Sequence, residues 1–128
     1  MTAEEQRNLA LAKQYEELYN TDVERFVREC YAPDYTVYAM GGASYGGYER
    51  FVEIEQSVLR AAPQRKMRVE RLHAAGEVVV VEAVIVDPER GSDWQLPFCA
   101  VLTCREGKIV TDRTYAEFTH WPGLEQLR

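Results

Sequence analysis

The sequence has 128 residues, 46% of them hydrophobic and 28% charged, with a formal net charge of −6. That is chain enough for one domain, expected over 1–128, with one sizeable core and the composition of a soluble globular protein. The acidic balance excludes the concentrated basic surface that nucleic acid needs, and no apolar run approaches the ~20 residues that cross a bilayer, so neither partner is expected.

The polar, acidic opening Met1 to Asn8 has no features of a secretory or mitochondrial address, which predicts a cytoplasmic protein. Thr2 with Glu5 forms a capping-box signature, and Leu11, Tyr15, Leu18 and Tyr19 follow on one helical face. Asn20 is expected to interrupt that helix. Thr21 with Glu24 repeats the capping pattern before a second stripe of Val23, Phe26, Val27, Cys30 and Tyr31. Ala32-Pro33-Asp34 should end it.

Tyr35 to Met40 reads as a short strand, and the glycines between Gly41 and Gly47 as a turn or lid. A third helix to about Ala62 is expected to turn Phe51, Val52, Val58 and Leu59 inward. The remainder is strand-like: Met67–His73, Val78–Val86, Asp93–Cys104 and Ile109–Phe118, divided at Gly76, by Pro88–Ser92 and by Arg105–Lys108. Three helices followed by a long antiparallel meander predict an α+β fold, a curved antiparallel sheet with the helices across its concave face and an open mouth.

Cys30, Cys99 and Cys104 lack metal-ligand spacing and read as buried apolar groups. His73 and His120 lie far apart without nearby acids, so no metal is expected. The basic residues Arg60, Arg65, Lys66, Arg68 and Arg71 read as a solvated helix end and strand edge.

This order of elements resembles the nuclear transport factor 2-like superfamily, of the cystatin-like fold, which includes SnoaL-like polyketide cyclases, ketosteroid isomerases and limonene epoxide hydrolases. The resemblance rests on Tyr31–Tyr38, on Tyr45-Gly46-Gly47-Tyr48-Glu49 at the start of the third helix, and on Gly107–Phe118 as the final turn and strand. It implies a cone-shaped pocket for a small molecule. The isomerases' two carboxyls fall where Tyr38 and Ala39 stand and on Ala100, and the hydrolases' Asp-Arg-Asp set falls on Thr114 and near Val81 and Ala83, so neither set transfers.

Strand alternation from an inward Thr114 brings Asp112 and Phe118 to the same face, and Trp94 and Phe98 inward from the preceding strand. The first helix offers Tyr15 and Tyr19, and the first strand Tyr38 and Met40. Asp112, Tyr15 and Tyr38 are therefore the candidate catalytic groups, and Tyr19, Met40, Trp94, Phe98, Thr114 and Phe118 the candidate substrate contacts. An acid between apolar walls suits proton transfer without metal or organic cofactor, and tyrosine hydroxyls suit a developing enolate. The alternative is a non-catalytic binding protein for a small apolar ligand. Glu82, inside a valine run, is expected either as a buried acid or paired across a homodimer interface carrying Val78, Val80 and Val84. Arg113, Tyr115 and Glu117 alternate outward, with Glu117 expected in an ion pair.

Overall fold

The computed structural model describes residues 1–39 and 43–124. Helix α1 spans Ala3–Thr21, α2 Val23–Cys30 and α3 Tyr48–Ala61; the strands are β1 Tyr31–Ala39, β2 Ser44–Tyr45, β3 Lys66–Ala75, β4 Val78–Val86, β5 Gln95–Arg105 and β6 Lys108–Ala116. The strands form a six-stranded sheet in the order β2-β1-β6-β5-β4-β3. Every pairing is antiparallel except β1 with β6, which run parallel because the helix α3 and the whole β3–β5 meander intervene between them. The helices cover one face of this open, curved sheet and give the α+β cone.

The Thr2–Glu5 capping box is present, each residue bonding the other's backbone N–H at 3.0 Å. Asn20 does not interrupt α1. Its side chain accepts from the Met67 N–H at 2.7 Å and donates to the Met67 carbonyl at 2.9 Å, so a residue that reads as a helix breaker is the hook tying the helix end to β3. Glu16 accepts from the Val69 N–H nearby. The cap of α2 is Asp22, whose carboxylate accepts from the Arg25 N–H at 3.1 Å, and not Thr21, whose hydroxyl turns back to the Glu17 carbonyl.

The chain passes from Cys30 directly into extended backbone at Tyr31, so β1 begins earlier than Tyr35. Pro33 is accommodated because the pairing with β6 shifts register between Tyr31 and Thr36, and a proline without N–H is tolerated at such an irregularity. On α3 the buried stripe is Phe51, Val52, Ile54, Glu55 and Val58, whereas Leu59 is only half-buried.

Register sorts the two faces of the sheet. One inner row is Val79–Leu102–Asp112–Val37, and the next is Val81–Ala100–Thr114–Ala39. Over these rows sits a cluster of rings centred on Phe26, whose centroid lies 5.2 Å from Tyr15, 5.4 Å from Tyr19, 5.6 Å from Tyr31 and 5.8 Å from Phe51. Edge-to-face packing of this kind holds the helices on the sheet and fixes the orientation of each phenol.

The outer face takes the alternate residues. Glu82 is half-buried rather than buried, and within the chain it pairs with Arg71 at 2.8 Å and with His73, both on the neighbouring strand. Arg71, Glu82, Cys99 and Tyr115 form one outer row. Arg113 lies over the Tyr38 ring, 4.2 Å from its centroid, instead of pairing with Glu117. Of the basic group, Arg65 departs from the solvated expectation: it is buried, 4.0 Å over the Tyr19 ring, and donates to the Tyr19 carbonyl at 2.9 Å.

After β6 the chain makes a short 3-10 turn, Phe118–His120, and returns to α3. Gly123, at φ +82°, lies so close to α3 that a Cβ would stand 2.6 Å from the Ser57 carbonyl oxygen and 2.7 Å from the Val58 Cα. Only glycine fits a backbone-to-backbone approach of that kind, and it sets the Trp121 indole beside the cone.

Candidate functional site

The cone holds a cavity of about 480 Å³, counting its open mouth. Its walls come from every layer: Tyr15 and Tyr19 of α1, Phe26 of α2, Phe51 and Glu55 of α3, the inner face of the sheet, and Trp121 from the tail. Such a mixture, mostly aromatic with a few polar groups, is what small-molecule sites present.

Asp112 is the buried acid of the sheet wall, 4% exposed between Leu102 and Val37. The Tyr31 hydroxyl donates to its Oδ2 at 2.5 Å and the Thr114 hydroxyl to its Oδ1 at 2.6 Å. Burial raises its pKa above the ordinary 3.8, and the hydrogen bonds from Thr114 and Tyr31 hold the rise back by stabilising the ionised form. The phenols of Tyr15 and Tyr31 move well upward, first through burial and then through the Asp112 charge, so both remain protonated donors.

Glu55 is a second buried acid, at 8% exposure. Burial lifts its pKa from 4.5 to about 7, with Arg65 pulling it down and Asp112 pushing it up. Glu55 Oε1, Tyr19 Oη and Trp121 Nε1, all lining the cavity, have no hydrogen-bond partner.

Of the residues expected at the site, the cavity brings together Asp112, Tyr15, Tyr19, Phe98, Thr114 and Phe118. Tyr38 is a correction: Val37 and Ala39 take the inward positions of β1, so Tyr38 faces out, 38% exposed, under Arg113. Trp94 is another. The strand starts only at Gln95, Leu96 takes the inward place, and Trp94 lies in a surface hollow beside Arg90, Trp121 and Pro122. Met40 lies outside the described residues.

Tyr31, Glu55 and Trp121 also line the cone, beyond the residues that strand alternation and the first helix point to. Glu55 had a legible signal, since it stands four residues after Phe51 and three before Val58 on the same inner helical face. Tyr31 falls at the end of a helical stripe and acquires its role by leaving the helix. Nothing periodic announces Trp121.

Four positions onto which the related enzymes' catalytic residues align share one inner row, and Ala83 lies in the next. Ala39, Thr114, Ala100 and Val81 are contiguous in register, and none bears an acid. The acid of this protein is in the adjacent row, two residues before Thr114.

Among the described residues no group of three or more His, Cys, Asp and Glu is placed to hold a metal, and no helix is long and apolar enough to cross a membrane.

A curved sheet, helices over its concave face and an aromatic-lined cone with a few polar groups together define a nuclear transport factor 2-like protein. More narrowly, the SnoaL-like domain model matches residues 11–111, and the chain belongs to that family. No curated protein matches it by sequence.

Among solved structures it is similar to a protein of Jannaschia sp. CCS1 proposed to be a SnoaL-like polyketide cyclase, at 15% identity and TM-score 0.80 over 93% of this chain and 91% of that one. IdmH of Streptomyces antibioticus, itself proposed to be a polyketide cyclase, gives 16% identity and TM-score 0.77 over 88% and 94%. An LEH-like epoxide hydrolase of M. tuberculosis gives 17% and 0.69 over 99% and 89%. Likeness at such identities establishes the fold and leaves the chemistry to the site.

Proposed function

We propose that this protein is an enzyme that moves a proton on a small, largely hydrophobic carbonyl compound, with Asp112 as the base. The observation that carries this reading is the carboxylate of Asp112 in the cone, oriented by Tyr31 and Thr114 and enclosed by apolar side chains. A substrate ketone entering the mouth would present its α-carbon to Asp112, which takes the proton. The electron pair moves to the carbonyl oxygen, and the protonated Tyr15 stabilises the enolate by hydrogen bonding. Return of the proton to another carbon gives an isomerase, and attack of the enolate on a second carbonyl gives a polyketide-type cyclase. Activation of water by the same base is the hydrolase variant.

The test is hydrogen–deuterium exchange at the α-carbon of β-tetralone in deuterated buffer, with binding followed separately. Exchange above the buffer rate that is lost in Asp112→Asn supports catalysis. Binding without any exchange favours the second reading, a binding protein for a small apolar ligand, which the acid-free row Ala39–Thr114–Ala100–Val81 supports.

We also propose that the outer sheet face pairs with a second copy of the chain. Val80 and Cys99 lie there half-buried, and Pro97 and Tyr115 exposed, around the internally neutralised Glu82–Arg71–His73 group. Such a surface can meet itself across a two-fold axis with Glu82 already paired and Arg113 resting on the Tyr38 ring. Sedimentation at micromolar concentration should give twice the 14.7 kDa chain mass, and Val80→Glu should give the monomer. A monomeric wild-type protein removes the dimer.

A further inference from the structure

Asp112 has its own hydrogen bonds, to Tyr31 and Thr114, and shares neither with the other polar groups of the cone. Those groups form a separate cluster about Tyr19. Burial and the Glu55 charge raise the Tyr19 phenol, whereas Arg65 and the Trp121 indole approach its hydroxyl closely enough to favour the ionised form without meeting full hydrogen-bond geometry. Three side chains from α1, α3 and the tail thus converge, each more than nine-tenths buried: Tyr19 at 3%, Glu55 at 8% and Trp121 at 8% exposure. Each keeps a polar atom unpartnered in the cavity wall. Buried polar atoms ordinarily find partners, and three left open in one wall of a cavity mark a place for a polar group of a ligand.

We propose that Tyr19, Glu55 and Trp121 form a second hydrogen-bonding subsite, distinct from Asp112, that takes a hydroxyl group, so that the ligand carries two oxygen functions on one apolar skeleton. The proposal deepens the reading of Asp112 as a base by specifying the far substituent of its substrate, but its evidence is a separate set of atoms.

The chemistry selects a hydroxyl. The Trp121 Nε1–H can only donate, so its partner must accept. A carboxylate Oε1 of Glu55 can only accept, so the same partner must also donate. A ketone or ether cannot do both; a hydroxyl can. If Glu55 is protonated, its acid O–H donates to the hydroxyl oxygen instead, and the Tyr19 hydroxyl can rotate to accept. A ligand ammonium is disfavoured by the indole donor and by the buried Arg65, which has no carboxylate in salt-bridge contact among the described residues. A ligand carboxylate is disfavoured where Glu55 is ionised, because two like charges would then face each other in a buried wall.

The experiment compares β-tetralone with its 6-hydroxy derivative, an enolisable ketone with and without a far hydroxyl. Protein labelled with 15N in its two tryptophans is titrated with each, Trp94→Phe assigning the remaining indole signal to Trp121. The hydroxy ketone is expected to bind about tenfold more tightly, the yield of one well-made buried hydrogen-bond set, and to move the Trp121 Nε1–H resonance where the parent ketone does not. Glu55→Gln or Tyr19→Phe should remove most of that preference, read within each variant as the ratio of its affinities for the two ketones. Equal affinities, equal indole shifts, or no Trp121 shift with the hydroxy ketone would overturn the subsite. Deuterium exchange is read on the same samples: a hydroxyl-dependent indole shift without exchange leaves the subsite standing and removes the role of Asp112. Exchange without hydroxyl preference does the reverse.

Discussion

Asp112→Asn is expected to lower β-tetralone exchange by about 100- to 10,000-fold, the usual contribution of a positioned general base. The substitution keeps the shape of the side chain. The Asn carbonyl can still accept one of the two hydroxyls now held by the carboxylate, and the Thr114 hydroxyl can rotate to accept from the new amide. The fold should therefore persist, as circular dichroism would show, and affinity for the ketone should change little.

Tyr31→Phe supplies the complementary test. The Tyr31 hydrogen bond favours ionised Asp112, so its removal raises the carboxyl pKa further. Exchange requires the carboxylate, and the acid limb of its pH profile should move to higher pH in Tyr31→Phe. A purely structural role for Tyr31 would lower the rate at every pH without moving the limb. Undiminished exchange in Asp112→Asn, with ketone bound, would remove Asp112 as the base.

The residues that make this pair separated in the sequence by their periodicities. Asp112, Thr114 and Phe98 are found by counting in twos along strands whose ends are marked by turns, and the strand boundaries of β4 follow from its valine run alone. The same counting failed where a boundary moved. Alternation places Trp94 in a strand that begins one residue later, and phases β1 from Tyr38 although its register is set by pairing with β6. A parallel neighbour arriving from the far end of the chain leaves no local trace.

Tyr31 shows the limit in another form. Its spacing from Phe26 and Val27 is helical, yet tertiary pairing with Ile109 draws it into β1 and points its hydroxyl at Asp112. Glu55 was legible by spacing and overlooked by type, since a charged residue on an inner helical face reads as a fault in the stripe. Stripe faults of this kind are where folding gives way to function.

Glu55→Gln is expected to remove a pH dependence of stability that the wild-type protein carries. The folded-state pKa of Glu55 is raised from 4.5 to about 7. Between those values the folded chain holds a proton that the unfolded chain has released, so stability falls as pH rises across the window. Integrated over it, the loss is about 3 kcal/mol at 1.36 kcal/mol for each pH unit. Below pH ~4.5 both states are protonated at this site and the contribution is whole; above pH ~7 both are ionised and the loss is complete.

Glutamine keeps the size of the neutral acid and cannot ionise, so its stability should match the wild type near pH 4.5 and exceed it by up to about 3 kcal/mol at pH 8. The carboxylates held down by exposed partners, Glu5, Glu29 and Glu82, contribute the opposite slope, but they do so at lower pH and equally in both proteins. The difference between urea denaturation curves of the two proteins therefore reports Glu55 together with its coupling to Asp112. Parallel stability profiles from pH 5 to 8 would show that Glu55 ionises in the folded chain without penalty, and its burial would then have to be relieved by motion of α3 or the tail. A slope present in the wild type and absent from the variant would instead mean that the cone keeps an acid at a stability cost. A cost of that kind is what the proposed ligand subsite at Tyr19, Glu55 and Trp121 predicts.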